Sequence, residues 1–284
     1  MMAAWLEPPP LPHEHGAWAM LIVPLVLGLA ASFGIPAAAA GAAPGSEVGG
    51  SVARAAWLVP PAMALLFLSR YAAVAAATRL IDGKRAPQGY VARRVLWAGL
   101  YIGAGAILLA AAWRMVPPGS QRAATAAGAV TLALGGLHTL LAFAGVDRTG
   151  PGEIVGMAGL ASSATLVVVA SGDPLDRRAV GAGILALLYF ASSLAYVRAI
   201  RGLWKGERSG RRRCIAAHVL ITAALTQLAT GAFLPLLAAA AFLPVLARTA
   251  WGLARPPANL RLLGWREAGV SAAFTAIAAA GYLL

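Results

Sequence analysis

Apolar residues run through this chain in long unbroken stretches, each closed by a short cluster of glycine, proline or charged residues. The stretches show neither the alternation of a half-buried strand nor the one-sided stripe of a surface helix. Each approaches the roughly 20 residues that carry a helix across about 30 Å of hydrocarbon. Nine spans are predicted, at 17–34, 55–78, 95–113, 123–146, 153–171, 179–197, 214–231, 232–251 and 268–284. The boundary at 231/232 divides one apolar run about twice the length of a span, and Gly231 and Pro235 mark the turn. The Ala-, Gly- and Pro-rich segment 35–51 reads as an extracytoplasmic loop, and residues 1–16 as a cytoplasmic segment of the mature chain. No connection is long enough to hold a soluble domain, so residues 1–284 are expected to form one transmembrane domain.

Composition agrees. Of 284 residues, 60% are hydrophobic and 12% charged, where a soluble domain has about 25% charged residues. An ordinary soluble globular protein is excluded. The 23 basic and 10 acidic residues leave a net charge of +13, but the basic residues cluster between apolar runs, which points to membrane topology and not to nucleic acid. With nine spans, alternate connections share a side. One side then holds 17 basic residues between Arg79 and Arg266, and the other holds Arg54, Arg114, Arg122, Arg177 and Arg178. Positive charge beside short loops marks the cytoplasmic side. The reading is an all-α polytopic bundle of about nine transmembrane helices in the plasma (inner) membrane, with its N-terminus in the cytoplasm. The single cysteine, Cys214, has no intrachain partner and is expected to pack as a thiol.

Candidate chemistry sits where polar groups meet hydrocarbon. An ionisable side chain there costs about 2.5–3.5 kcal/mol on insertion scales, so each one is a functional suspect. Arg70 lies well inside the second span, too deep to reach the interface by snorkelling, and His138 lies in the fourth. The segment PPPLPHEHGAWAM carries His15 straight into the first span, with Trp18 at the interface; His15 and His138 are the candidate hydrogen-bonding or acid/base groups. Tyr189, Ser192, Ser193 and Tyr196 form a polar stripe on one face of the sixth span. Just below it, Arg198 and Arg201 share a face, with the fork geometry that holds phosphate. Arg79 closes the second span, and Glu153 falls in the first turn of the fifth, where a carboxylate complements the helix dipole. Trp18, Arg70, Arg79, Glu153, Tyr196, Arg198 and Arg201 make up the expected ligand-binding set. No HExxH pattern, cysteine cluster or paired carboxylates suggest a metal, and nothing names a cofactor.

The stretch HEHGAWAMLIVPLVLG closely resembles the opening of the YwiC-like family of bacterial membrane proteins, and LRLLGWREAGVSAAFT at 260–275 is similar to that family's ending. A more distant resemblance is to the UbiA-type intramembrane prenyltransferases, carried by LAFAGVDRTGPGEIVGMAGLASSATLVVVASG at 141–172. That likeness implies nine helices, an inward N-terminus and a central cavity open to the cytoplasm. It also implies two aspartate-rich motifs holding diphosphate through Mg²⁺. Here the corresponding segments, SRYAAVAAATRLIDGK and YVRAIRGLWKG, carry arginines, with Asp82 the only carboxylate. The expectation is a basic, cytoplasm-facing cavity that holds an isoprenoid phosphate or another anionic lipid. A transporter, its route lined by helices broken at Pro235 and Pro244, and a non-catalytic assembly protein are the alternatives.

Overall fold

The computed structural model describes residues 15–33, 47–81 and 89–284. His13, Glu14, Asp82, most of the 35–51 segment and the His15 side chain lie outside what is described. All regular structure among the described residues is helical, in the order α1 (His15–Phe33), α2 (Glu47–Ile81), α3 (Tyr90–Met115), α4 (Gln121–Phe143), α5 (Gly150–Ala170), α6 (Arg177–Trp204), α7 (Ser209–Thr230), α8 (Leu236–Ala240), α9 (Leu243–Ala254) and α10 (Leu260–Leu283). Helices α2 to α7, and the interrupted span Leu236–Ala254 made by α8 and α9, are long and apolar enough to cross a membrane. The apolar stretch Trp18–Phe33 of α1 is shorter, and α10 carries Arg261, Arg266 and Glu267 in its first turns.

The predicted spans fall on these elements, with one correction. Helix α2 begins at Glu47, so the last residues of the 35–51 segment are helix and not loop. No proline intervenes between Pro44 and Pro60 to remove a backbone donor, and the helix extends through Gly49 and Gly50. The expected turn at 231/232 is present. Ala232 takes a left-handed φ of 57°, the Phe233 N–H donates to the Leu228 carbonyl at 2.9 Å, and Ala232 donates to Ala229 at 3.1 Å. This double bond satisfies carbonyls at the end of α7 before Pro235 opens α8.

Helix α1 packs against α5, α6 and α10, while α2 pairs with α3 and α4 with α5. Close packing comes from small residues: Gly152, Gly156, Gly159, Ala161 and Ala164 are buried on α5, and Gly181, Ala182, Gly183 and Ala186 on α6. In hydrocarbon, where tails are as apolar as leucine, such close backbone approach is what draws helices together. The large exposed side chains sit on the periphery: Leu96, Leu100 and Ile107 on α3, Leu137 and Leu140 on α4, Val219 and Leu220 on α7. An apolar belt of this extent suits acyl chains.

Hydrogen bonds between connections define two ends. At one, the Trp204 indole donates to the Pro257 carbonyl at 2.9 Å, joining the end of α6 to the α9–α10 connection. At the other, Ser120 in the α3–α4 connection donates to Gly172 in the α5–α6 connection at 2.6 Å. There too, Arg177 reaches the Gly231 carbonyl and Arg178 the Tyr282 carbonyl, each at 3.3 Å. The α4–α5, α6–α7 and α9–α10 connections therefore share the arginine-rich end, called the basic end below.

Candidate functional site

The α4–α5 connection is tight: Gly145 turns through φ 71°, and Pro151 sits in the first turn of α5. This holds Asp147 under α2, where Arg70 Nη2 donates to Asp147 Oδ2 at 3.1 Å, with both side chains largely buried. Arg70 Nε is buried without a partner. His138 of α4 faces α5 near the same connection. Its ring lies flush against Gly156 of α5, where an added Cβ would come within 2.7 Å of it. Its Nδ1 is buried without a hydrogen bond. Arg70 and Asp147 thus meet from α2 and the α4–α5 connection, and His138 of α4 lies on Gly156, less than two turns into α5 from that connection.

One turn away, Arg198 of α6 donates to Glu153 of α5. The Arg198 side chain is 53% exposed, and a pair so open to water contributes about 1 kcal/mol at most. Glu153 therefore neutralises a guanidinium expected to await an anion. Arg79 is exposed at the end of α2, its guanidinium 5.8 Å from the centre of the Tyr90 ring. Arg201 is exposed in the last turn of α6. Trp18 is partly buried against the core. Of the expected set, the structure pairs Arg70 with Asp147 and Glu153 with Arg198, sets His138 against α5, leaves Arg79 and Arg201 on the surface of the basic end, and places Tyr196 in a separate cluster.

That second cluster lies among α6, α7, α9 and α10. Arg248, only 7% exposed, donates from Nη1 to both carboxylate oxygens of Glu267 at 2.6 and 2.5 Å. Its guanidinium lies 4.2 Å from the centre of the Tyr196 ring, a stacking geometry that favours arginine over lysine. On α7, His218 Nδ1 lies 2.9 Å from the Cys214 carbonyl, and Nε2 lies 2.9 Å from the Thr249 hydroxyl. A carbonyl only accepts, so Nδ1 donates to it, while the Thr249 hydroxyl lies between His218 Nε2 and the Val245 carbonyl, to which it donates at 2.8 Å. The Tyr189 hydroxyl and Ser271 are 2.5 Å apart. The stripe on α6 faces the interior as expected, with Tyr189, Ser192 and Tyr196 buried, and Cys214 is a buried thiol.

Arg248 is a correction: the charge pattern assigned it to the basic connections, but it lies six residues inside α9 and is buried. Asp147, His218 and Glu267 were also missed as members of a site. The available signal was an arginine and a glutamate embedded in the apolar runs PVLARTAWGL and LLGWREAGV. Two apolar grooves mark the surface. One of about 450 Å³ lies between α7 and α8–α9, lined by Leu225, Leu236, Phe242 and Leu246 among others. The second, of about 230 Å³, is lined by Ala127, Val130, Ser162 and Leu175 among others. Neither is lined by an arginine, so the expected cavity between the arginines does not coincide with either groove.

Residues 11–169 match the family model described as YwiC-like protein, more than half of the chain. The chain belongs to the YwiC-like family. No curated protein matches it. The YwiC-like match takes in nearly all of α1 to α5, and with them Arg70, His138, Asp147 and Glu153. Tyr196, Arg198, Arg248, Glu267 and the likeness seen at 260–275 lie beyond it.

Proposed function

We propose that this protein binds an anionic amphiphile, an isoprenoid phosphate or an anionic lipid, within the bilayer and from its basic end. The observation that carries this reading is Arg70. Asp147 engages one of its nitrogens, while Nε stays buried and unpartnered in a span. A buried donor left unmade costs about 1–3 kcal/mol, more when charged, and an oxyanion seated on the guanidinium edge offsets that cost. His138 of α4 supplies a hydrogen bond or a proton. Arg79, Arg198 and Arg201 draw the anionic head to this end, His15 and Trp18 at the start of α1 border it, and the tail lies between the helices. The basic end faces the cytoplasm of the inner membrane by the positive-inside rule, and the N-terminus with it. In enzymatic form this is a divergent UbiA-type transferase without the aspartate-rich motifs.

The test is binding of a polyprenyl diphosphate to the protein in neutral detergent, with Mg²⁺ and again with EDTA. Binding is expected to survive EDTA and to weaken about tenfold or more in Arg70→Ala, the loss of a hydrogen bond to a charged group. Arg177→Ala, at the opposite end, should bind as wild type does. No binding by the wild-type protein, or equal losses in both variants, overturns the reading. A second reading, a transporter, is favoured by the interruption between α8 and α9, since discontinuous helices line substrate routes in many transporters. Uptake into reconstituted vesicles separates the two.

A further inference from the structure

Three buried atoms without a partner belong to one stacked pair, Arg248 Nε and Nη2 and the Tyr196 hydroxyl, and Arg266 Nη1, on the residue before Glu267, is another. Arg248 and Tyr196 are 7% and 0% exposed, and the Arg248 guanidinium lies 4.2 Å from the centre of the Tyr196 ring while Glu267 holds its Nη1. The charges of Arg248, Arg266 and Glu267 leave one positive charge uncompensated in a buried place. All of the unpartnered nitrogens are donors and the phenol can donate, so the missing partner is an acceptor of negative charge. Natural proteins keep few buried polar groups unsatisfied, and a cluster of them on one guanidinium and its neighbours asks for a cause.

We propose that Arg248, Tyr196 and Arg266 form a second seat, for a phosphate group, distinct from the Arg70 site and independent of the reading given to that site. Glu267 holds Nη1 of Arg248 by both oxygens, which fixes the plane of the fork and leaves the Nε–Nη2 edge to accept a bidentate partner. The free edge of the fork and the phenol beside it already offer three donor atoms, which match the three oxygens of a phosphate or phosphate monoester better than the two of a carboxylate. Glu267 lies seven residues into α10, about 10 Å along the helix, so the group reaches the seat from the basic end past Arg266, which is only partly buried. The phosphate is free, or is the head of a lipid whose tail lies in the bilayer.

Thermal unfolding in neutral detergent, followed by tryptophan fluorescence at constant ionic strength, tests this with inorganic phosphate and with dodecyl phosphate as probes. The variants are Tyr196→Phe, which keeps the ring over Arg248 and removes only the hydroxyl, and Arg248→Lys, which keeps a charge for Glu267 and removes the fork. Saturable stabilisation by either probe is expected, with the half-saturating concentration raised about tenfold or more in Tyr196→Phe, and retained in Arg70→Ala. Stabilisation by both probes identifies free phosphate as sufficient, and by dodecyl phosphate alone a lipid head. Arg248→Lys is read only if it unfolds cooperatively, and Tyr196→Phe decides otherwise. No saturable effect of either probe, an equal effect in wild type and Tyr196→Phe, or a loss confined to Arg70→Ala overturns the proposal.

Discussion

Arg70 and Arg248 are both arginines in apolar runs, yet only the first was legible in the sequence. Arg70 sits far from any other charge, so hydrocarbon alone marked it; Arg248 sits close enough to Arg255 to pass for a connection residue. Its partner Glu267 is 19 residues away across a turn, and nothing in a linear reading aligns the two faces. Removing one member of a buried pair strands the other and costs about 3–5 kcal/mol. Glu267→Ala should therefore lower the unfolding temperature far more than Glu153→Ala, whose partner is half in water; equal shifts would show that the Arg248 pair is not dry. Asp173, in the α5–α6 connection, carries a different cost. Burial raises its carboxyl above the usual range, against the lowering effects of the Ser171 hydroxyl and of Arg178. A raised carboxyl favours the protonated folded form, so its stabilising contribution is present below the ordinary carboxylate range and lost as pH rises through the raised value. Asp173→Asn should thus unfold at a higher temperature than wild type at neutral pH, with the gap closing in acid.

Among the elements, α6 shows local chemistry and packing acting together. Its N-terminus is capped by Asp176, whose side chain accepts from the Ala179 N–H at 2.9 Å, and Arg177 and Arg178 follow to tie the same end to Gly231 and Tyr282. Asp176→Ala should cost about 1 kcal/mol, read as a lower unfolding temperature with no change in binding at the basic end. Helix α9 depends on a tighter fit. A Cβ at Gly252 would fall 2.0 Å from the Tyr196 hydroxyl, so this glycine lets α9 approach α6 closely enough to stack Arg248 on the ring. Gly252 has no sequence signature. Its role comes from the rotation of two helices that are far apart in the chain. The break between α8 and α9 was partly legible, because Pro235 and Pro244 bracket it, but the five-residue length of α8 was not.

For the whole molecule, the alternation of connections between two ends follows from the count of spans, and the hydrogen bonds at each end agree with it. Sidedness makes a direct prediction. Cys214 is buried, so single cysteines introduced by Lys205→Cys and Gly119→Cys give clean labelling sites at opposite ends. In intact cells, a membrane-impermeant thiol reagent should modify the cysteine at 119 and spare that at 205; the reverse pattern would invert the orientation and place the proposed sites on the outer face. The packing of α1 against α5, α6 and α10 also puts the first described helix in the middle of the bundle, which no span count implies.

The amino-acid sequence by itself determined the membrane class, the helical character and approximate place of the spans, and the two charge-distinct ends. Those depend on quantities that add along the chain: about 20 apolar residues per crossing, and charges that stay out of hydrocarbon. Only the tertiary structure decided which carboxylate neutralises which arginine. Asp147 and Arg70 are 77 residues apart, and Arg198 and Glu153 are 45. Each pairing is set by the rotation and depth of whole helices, which in turn follow from small residues packing across faces that hydropathy cannot distinguish.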